Sequence, residues 1–309
     1  MDEFSISVND LEIQEYEQAY ETLSFECKLH NPEDFEEPLI YICEGKNNGT
    51  PFPFDERVSF KRGEVTVWAS SNGSGKSLLI GQIVMQLCQQ GIKSAVLSFE
   101  MSPERTLYRM MRQRLGHKPS GKEVPAFLDT IRGKFKLLNY KGAIHESIVF
   151  GTVVVSAHKY GCEHIFIDNL MKVVAGEDDY NSQKSFVEQC TNLARLLDVH
   201  IHIIHHTRKG QNEEDELNKY SIKGSGAIID LADNAILIQR NRKKEKDRES
   251  GNLSPMKDIE EADSILRVVK QRNGDFEGAI PLWFDPESTG FCKGAERVPL
   301  FFEGVKNDN

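Results

Sequence analysis

The residues best placed to do chemistry lie in one short turn, Ser70-Ser71-Asn72-Gly73-Ser74-Gly75-Lys76-Ser77. An apolar, β-rich run, Val65-Thr66-Val67-Trp68-Ala69, leads into it. The stretch Leu78-Leu79-Ile80-Gly81-Gln82-Ile83-Val84-Met85-Gln86-Leu87 leaves it with the apolar spacing of a helix. A strand, a glycine-containing turn and a helix opening on Gly-Lys-Ser form a phosphate cradle. The backbone from Ser71 to Leu78 presents N–H groups to a phosphate, and the helix N-terminus adds partial positive charge. Lys76 is expected to reach the β- and γ-phosphates, and the Ser77 hydroxyl to hold Mg²⁺. Ser70 stands where the strict pattern has glycine. The competing reading is a chance Gly-Ser-Gly-Lys-Ser in a flexible loop. The strand before the turn and the helix after it argue against that.

In an open α/β sheet, ligands sit beyond the C-terminal ends of the strands, so polar residues there are the next candidates. Asp168 ends the apolar run His164-Ile165-Phe166-Ile167, as a residue holding Mg²⁺ through water should. Asn169 follows it, where many phosphate-loop enzymes carry their water-activating carboxylate. Glu100, at the end of Ser94-Ala95-Val96-Leu97-Ser98-Phe99, is then the candidate for that base. Its competing role is a charge favourable to the next helix dipole. His200, His202, His205 and His206 crowd one strand. Alternation puts His200, His202 and His206 on one face and His205 on the other. Metal ligation lacks an acidic or cysteine partner in the sequence, and a polar sensor of the γ-phosphate suits His206 better. Lys270 and Arg272 follow the strand Ile265–Val269. They fit either a solvated edge or a cation pair inserted into a neighbour's site.

These residues need a scaffold. From 63 onward strands and helices alternate. Strands are expected at 64–69, 94–99, 135–138, 164–168, 200–205 and near 234–239, 264–270 and 279–284. Helices are expected at 75–90, from Ser102-Pro103-Glu104, near 145–160 and at 182–198. Gly116–Val124 reads as a loop, and 207–222 is polar without strong periodicity. The alternation predicts a three-layer α/β fold with a mostly parallel twisted sheet flanked by helices.

Length and charge bound the rest. The 309 residues suit one large domain with an arm, and the net charge is −10. Residues 1–60 hold fifteen Asp and Glu against Lys28, Lys46 and Arg57, a net −12. The remaining 35 basic and 33 acidic residues give +2, so the acidity belongs to the arm. Asn9-x-x-Glu12 followed by Ile13, Tyr16, Tyr20 and Leu23 predicts a helix near 10–24, and 45–53 reads as a turn-rich linker. The expected division is an acidic arm over 1–50 and a motor-like domain over 51–309. Six cysteines without C-x-x-C spacing read as reduced. No apolar run approaches the roughly 18 residues of a membrane span, and the N-terminus lacks a signal core. The expectation is a cytoplasmic protein without a membrane partner.

In order along the chain come Gly63-Glu64-Val65-Thr66-Val67, the phosphate turn, Ser98-Phe99-Glu100-Met101-Ser102, Ile167-Asp168-Asn169-Leu170, Lys223-Gly224-Ser225-Gly226-Ala227, Ala232-Asp233 and Lys270-Gln271-Arg272-Asn273-Gly274. As a set they resemble the RecA-like P-loop motor domain of DnaB-type hexameric replicative helicases, which include phage primase-helicases and the mitochondrial replicative helicase. The resemblance covers about 50–292. It implies that Lys76 and Ser77 bind phosphate and Mg²⁺, that Glu100 is the catalytic base and Asp168 the Mg²⁺ acid, and that His206 is the γ-phosphate sensor. Arg272 becomes a finger acting on the neighbouring subunit, with Lys270 beside it. Arg109 matches a recurrent arginine, and Phe284 falls where an aromatic stacks on the base. The loop 207–223 corresponds to the segment gripping single-stranded DNA, with Arg208, Lys209, Lys219 and Lys223 as phosphate contacts. The acidic run Glu213-Glu214-Asp215-Glu216 in the same loop departs from that role.

The expected function is therefore an ATP-dependent DNA helicase motor in a hexameric ring, in phage or prophage replication, with ATP and Mg²⁺ as cofactors. A primase or other replication proteins are possible partners. Two alternatives stand beside it. One is a RecA-like recombination or remodelling ATPase that does not unwind DNA. The other is a nucleotide-dependent loader or inhibitor of a host helicase, which the acidic arm favours.

Overall fold

The computed structural model describes residues 18, 20–22, 29–46, 49–140, 144–173, 180–207, 217–218, 221–222 and 226–301. The chain divides into two compact units, Met1–Asn47 and Asn48–Asn309. In the first, a 3-10 turn Pro32–Phe35 runs into helix α1, Glu36–Cys43. The turn opens on a capping box in which the Asn31 N–H donates to Asp34 Oδ2 at 3.0 Å. Most of the helix expected near 10–24 lies outside the described residues; Gln18, Tyr20 and Glu21 within it are helical.

The second unit opens with a hairpin, β1 (Thr50–Phe52) and β2 (Asp55–Phe60). Then follow β3 (Val65–Ser70), α2 (Lys76–Gln89), β4 (Ser94–Ser98), α3 (Pro103–Leu115), α4 (Val124–Ile131), β5 (Phe135–Leu137) and α5 (Glu146–His158). Next are β6 (His164–Asp168), α6 (Leu170–Val173), α7 (Tyr180–Leu197), β7 (His200–His206) and α8 (Gly226–Leu231). The unit continues with β8 (Asn234–Arg240), α9 (Arg242–Glu249), α10 (Pro255–Glu260), β9 (Ser264–Gln271), β10 (Gly278–Asp285) and β11 (Gly290–Cys292).

The main sheet has nine strands in the order β11-β10-β9-β8-β3-β7-β6-β4-β5. The six from β8 to β5 run parallel, and β9, β10 and β11 extend that edge antiparallel. Central strands are covered on both faces, which is why their sequences are nearly continuous apolar runs. On one face Trp68, Phe166 and Ile204 pack with Ile83, Leu87 and Met110 of α2 and α3. On the other, Val67, Ile167 and Ile203 pack with Val149, Phe186 and Val187 of α5 and α7. The three-layer, mostly parallel architecture expected from the alternation is the one found.

Two expectations fail locally. The stretch 45–53 is not all linker, because Thr50–Phe52 is a strand of the hairpin. Phe52 is 2 % exposed and its ring lies 5.9 Å from that of Trp68, a long-range contact that outweighs the turn chemistry of Pro51 and Pro53. The loop expected over Gly116–Val124 tightens into a 3-10 turn at Gly121–Glu123, and α4 begins at Val124. Burial of Phe127 and Ile131 in the core explains that helix.

Candidate nucleotide site

Register decides which strand tips meet. Across the sheet Ser70 pairs with His206, Ile204 with Asp168, and Asp168 with Ser98. The ends of β3, β7, β6 and β4 therefore lie side by side, and their polar residues share one edge. A cleft of about 1030 Å³ opens there, between the turn after β3, helix α3 and Phe284.

The turn itself has the form expected of a cradle. Gly73 and Gly75 take φ of 76° and 90°. A Cβ on Gly75 would come within 2.7 Å of the Phe291 ring, so both backbone and space require glycine there. Lys76 opens α2 and is buried. Its Nζ donates to Ser70 Oγ at 2.7 Å and to the Ser70 carbonyl at 3.1 Å. This gives the departure from the strict pattern a physical role, since a glycine at 70 has no hydroxyl to hold the ammonium. Burial lowers the Lys76 ammonium to about 8, although Asp168 and Glu100 pull it upward. Ser71 and Ser74 share a hydroxyl contact of 2.8 Å.

Ser77 Oγ donates to Asp168 Oδ2 at 3.3 Å. Burial, and after it the neighbouring Glu100 charge, raises the Asp168 carboxyl to about 6; Ser77, Lys76 and Arg109 pull it back. A hydroxyl and a buried carboxylate are hard oxygen donors, and their excess negative charge beside Glu100 suits a divalent cation such as Mg²⁺. Glu100, just past β4, lines the cleft, and its Oε1 accepts from the Asn169 side-chain amide. His206 Nε2 lies 2.9 Å from the same amide nitrogen, and His206 Nδ1 lies 3.4 Å from Lys76 Nζ. Lys76, Ser77, Glu100, Asp168 and His206 thus converge, as do Asn72, Gly73, Ser74, Gly75 and Leu78.

Arg109 and Phe284 also line the cleft. Phe284 is held by its backbone: its N–H donates to Asp263 Oδ2 at 2.9 Å and its carbonyl accepts from Arg297 at 3.1 Å. Asp263 in turn accepts from the buried Lys244 at 2.7 Å. Sequence reasoning missed Arg105, Tyr108 and Arg112 in the same wall. Their spacing with Arg109 over one and two helical turns was the available signal. It also missed Arg240, which donates to the Gly73 carbonyl at 3.3 Å. Only the packing of β8 against β3 reveals that contact.

Lys270 and Arg272 lie elsewhere. They end β9, which runs antiparallel to β8, so they sit at the edge of the sheet opposite the cradle. Arg272 pairs with Asp233 at 2.8 Å, and Lys270 Nζ donates to the Ile229 carbonyl at 2.7 Å. The structure does not bring them to this chain's own phosphate site. Arg208, Lys209, Lys219 and Lys223 lie outside the described residues, as does Glu213–Glu216.

The histidine-rich strand divides by face and depth. His200 and His202 are buried with His164 under the hairpin, against Phe60 and Trp68. Trp68 Nε1–H donates to His202 Nδ1 at 3.2 Å, so the His202 proton is on Nε2. That proton goes to His164 Nδ1 at 3.1 Å, and His164 Nε2–H goes to Thr50 Oγ1 at 3.0 Å. His200 donates to the Lys61 carbonyl at 2.6 Å and accepts from Thr66 at 2.8 Å. These rings are satisfied core groups. Among the described residues no cluster of His, Cys, Asp or Glu is arranged to hold a metal ion. No described helix is long and apolar enough to cross a membrane.

Residues 59–212 match the family model of the AAA domain, a span that includes the cradle, Glu100, Asp168 and His206. Among solved structures, a stand-alone ATPase domain superposes with a TM-score of 0.67 at 18 % identity, covering 83 % of this chain and 97 % of that one. A DnaB-like replicative helicase, solved in a study of its interactions with primase, superposes with a TM-score of 0.66 at 16 % identity, covering 90 % of this chain and 70 % of that one.

Proposed function

We propose that this P-loop NTPase, whose fold is that of the DnaB-type motor domain, is an ATP-dependent DNA helicase motor that works as a homohexameric ring on single-stranded DNA. The observation that carries the reading is the convergence of Lys76, Ser77, Asp168 and Glu100 at adjacent strand tips. Lys76 leaves Ser70 for the β- and γ-phosphates. Ser77 and Asp168 hold Mg²⁺, which when bound neutralises developing charge on the phosphate oxygens. Glu100 orients water in line with the γ-phosphate and takes its proton. His206, beside Lys76, reads the presence of that phosphate. Phe284 stacks on the base, and Arg109 adds positive charge to the cleft wall.

Arg272 and Lys270, at the opposite edge of the sheet, are placed to serve the site of the next subunit. There an arginine finger accelerates transfer by about 10³–10⁵. Arg208, Lys209, Lys219 and Lys223 contact DNA phosphates, so binding weakens as salt rises. The acidic residues 1–50 form a separate arm, and a primase is a candidate partner. A phage or prophage replication role in the cytoplasm completes the reading.

The test is ATP hydrolysis with and without single-stranded DNA, together with mass measurement in Mg²⁺ and an ATP analogue. Stimulation by DNA and its near loss in Glu100→Gln are expected. Full activity in Glu100→Gln removes that residue from the base role. Hydrolysis without displacement on a forked substrate transfers the protein to the remodelling class. Assembly only with a second protein supports a loader, a reading that the net −12 of residues 1–60 keeps in view.

A further inference from the structure

The resemblance treats Asn169 only as the place where a glutamate is missing, yet the structure puts it at the centre of the site. It follows Asp168 at the tip of β6, and β6 lies between β4 and β7 in the sheet. A side chain from that tip is the one able to reach both the Glu100 side and the His206 side. Asn169 is 1 % exposed.

We propose that Asn169 is a positioning residue that ties the carboxylate of Glu100 to His206, and so sets both the place of the base and the tautomer of the imidazole facing the phosphate. The proposal rests on the ATPase reading above.

The direction of each bond follows from donor chemistry. An ionised carboxylate only accepts, so the amide turns its Nδ2 toward Glu100 Oε1. The second hydrogen of the same nitrogen meets His206 Nε2 at 2.9 Å. Nε2 is therefore the acceptor, and the imidazole proton is on Nδ1. That nitrogen lies 3.4 Å from Lys76 Nζ. An imidazole N–H and an ammonium then converge on one place at the cradle, and an anionic oxygen between them accepts from both. The cost of the arrangement is visible too. Asn169 Oδ1 is buried without a hydrogen-bond partner among the described residues. A buried acceptor left in that state marks an amide whose donor side is needed.

Glu100 and the phosphate-facing imidazole are thereby joined through a single amide. Movement of His206 onto a phosphate oxygen draws on Asn169, and Asn169 draws on the carboxylate. Leucine matches asparagine in size and donates nothing. Aspartate keeps the shape, cannot donate to Glu100 and repels it.

The experiment uses the full chain. Steady-state hydrolysis of Mg²⁺-ATP, affinity for a fluorescent ATP analogue and thermal unfolding are measured for Asn169→Leu, Asn169→Asp, His206→Ala and the Asn169→Leu/His206→Ala double variant. Both Asn169 variants are expected to lose about tenfold or more in kcat, with analogue affinity held within about threefold. The double variant is expected to be within about twofold of the slower single, because both changes break the same chain. Undiminished kcat, a loss confined to analogue affinity, or multiplying effects in the double variant overturn the proposal. A second readout needs no variant: the ¹⁵N shifts of the His206 ring report its tautomer. An Nδ1–H ring is expected, and an Nε2–H ring overturns the proposal. The two levels fail differently. A wild-type chain that does not hydrolyse ATP overturns the ATPase reading itself. Activity lost in Glu100→Gln but intact in Asn169→Leu overturns only the positioning role.

Discussion

Acidification from pH 7.5 to pH 5 is expected to strip this protein of a large part of its stability, through the three histidines under the hairpin. His164, His200 and His202 are fully buried. Burial holds each below its ordinary range, His200 at about 4 and the other two well below it; His200 and Arg62 add to the effect on His164, and the other two rings add to the effect on His202. Each ring carries one proton and has both nitrogens engaged, so a second proton sets one N–H against another donor or against a neighbouring ring. The sign follows from where the protons bind. The folded pKa values lie below the unfolded value near 6.5, so the unfolded chain binds more protons in acid. The stability is present above about pH 6.5 and lost as pH falls below it. A histidine kept neutral in the fold at pH 5 costs about 1.4 × 1.5, or about 2 kcal/mol, and three cost about 6. Asp168 opposes this. Its carboxyl is raised to about 6, so it takes up a proton in the fold and returns about 1.4 kcal/mol. The net loss is about 4–5 kcal/mol, against a typical total of about 5–15. Denaturant titrations followed by circular dichroism at the two pH values measure it directly. A loss below about 1 kcal/mol refutes the reasoning, because it means the rings accept protons without disrupting their bonds.

Three further outcomes test the site. Gly75→Ala must hold φ near 90° and move the Phe291 ring, so it is expected to lose at least about 1–2 kcal/mol in thermal unfolding and most of its affinity for an ATP analogue. Lys76→Ala and Arg272→Ala chains, each inactive alone, are expected to regain ATPase activity when mixed, because some interfaces then join an intact cradle to an intact finger; no regain removes the trans role. Lys244→Met leaves the buried side of Asp263 without its ammonium while Arg248 and Arg297 remain. A loss of about 2–3 kcal/mol by denaturant titration is expected, with weaker base stacking as Phe284 loosens.

Much of the site is local in sequence and was legible there. Gly73, Gly75, Lys76 and Ser77 sit within one turn whose backbone makes the cradle, so their types and spacing already specify a phosphate ligand. Asp168 and Glu100 each end an apolar strand, and the rule that ligands lie beyond strand ends places them. Phe52 shows the limit of such reading. Its neighbours Pro51 and Pro53 signal a turn, and only contact with Trp68 makes a strand of it. The basic wall of α3 and the grip of Arg240 on the Gly73 carbonyl likewise depend on which elements pack together.

What the sequence alone determined is therefore the phosphate turn, the alternation that forces a parallel sheet, and the identity of the carboxylates. These depend on periodicity and on residues close in the chain. The tertiary structure decided the rest through register. Ser98, Asp168 and His206 come from strands far apart in sequence, and only the order β3-β7-β6-β4 brings their tips into one row. That row turned Asn169 from a missing glutamate into the amide between Glu100 and His206, and it sent His200 and His202 into the core while their neighbour His206 faces the cleft. A residue's partners across a sheet are set by hydrogen-bond register between distant segments, which no local pattern encodes.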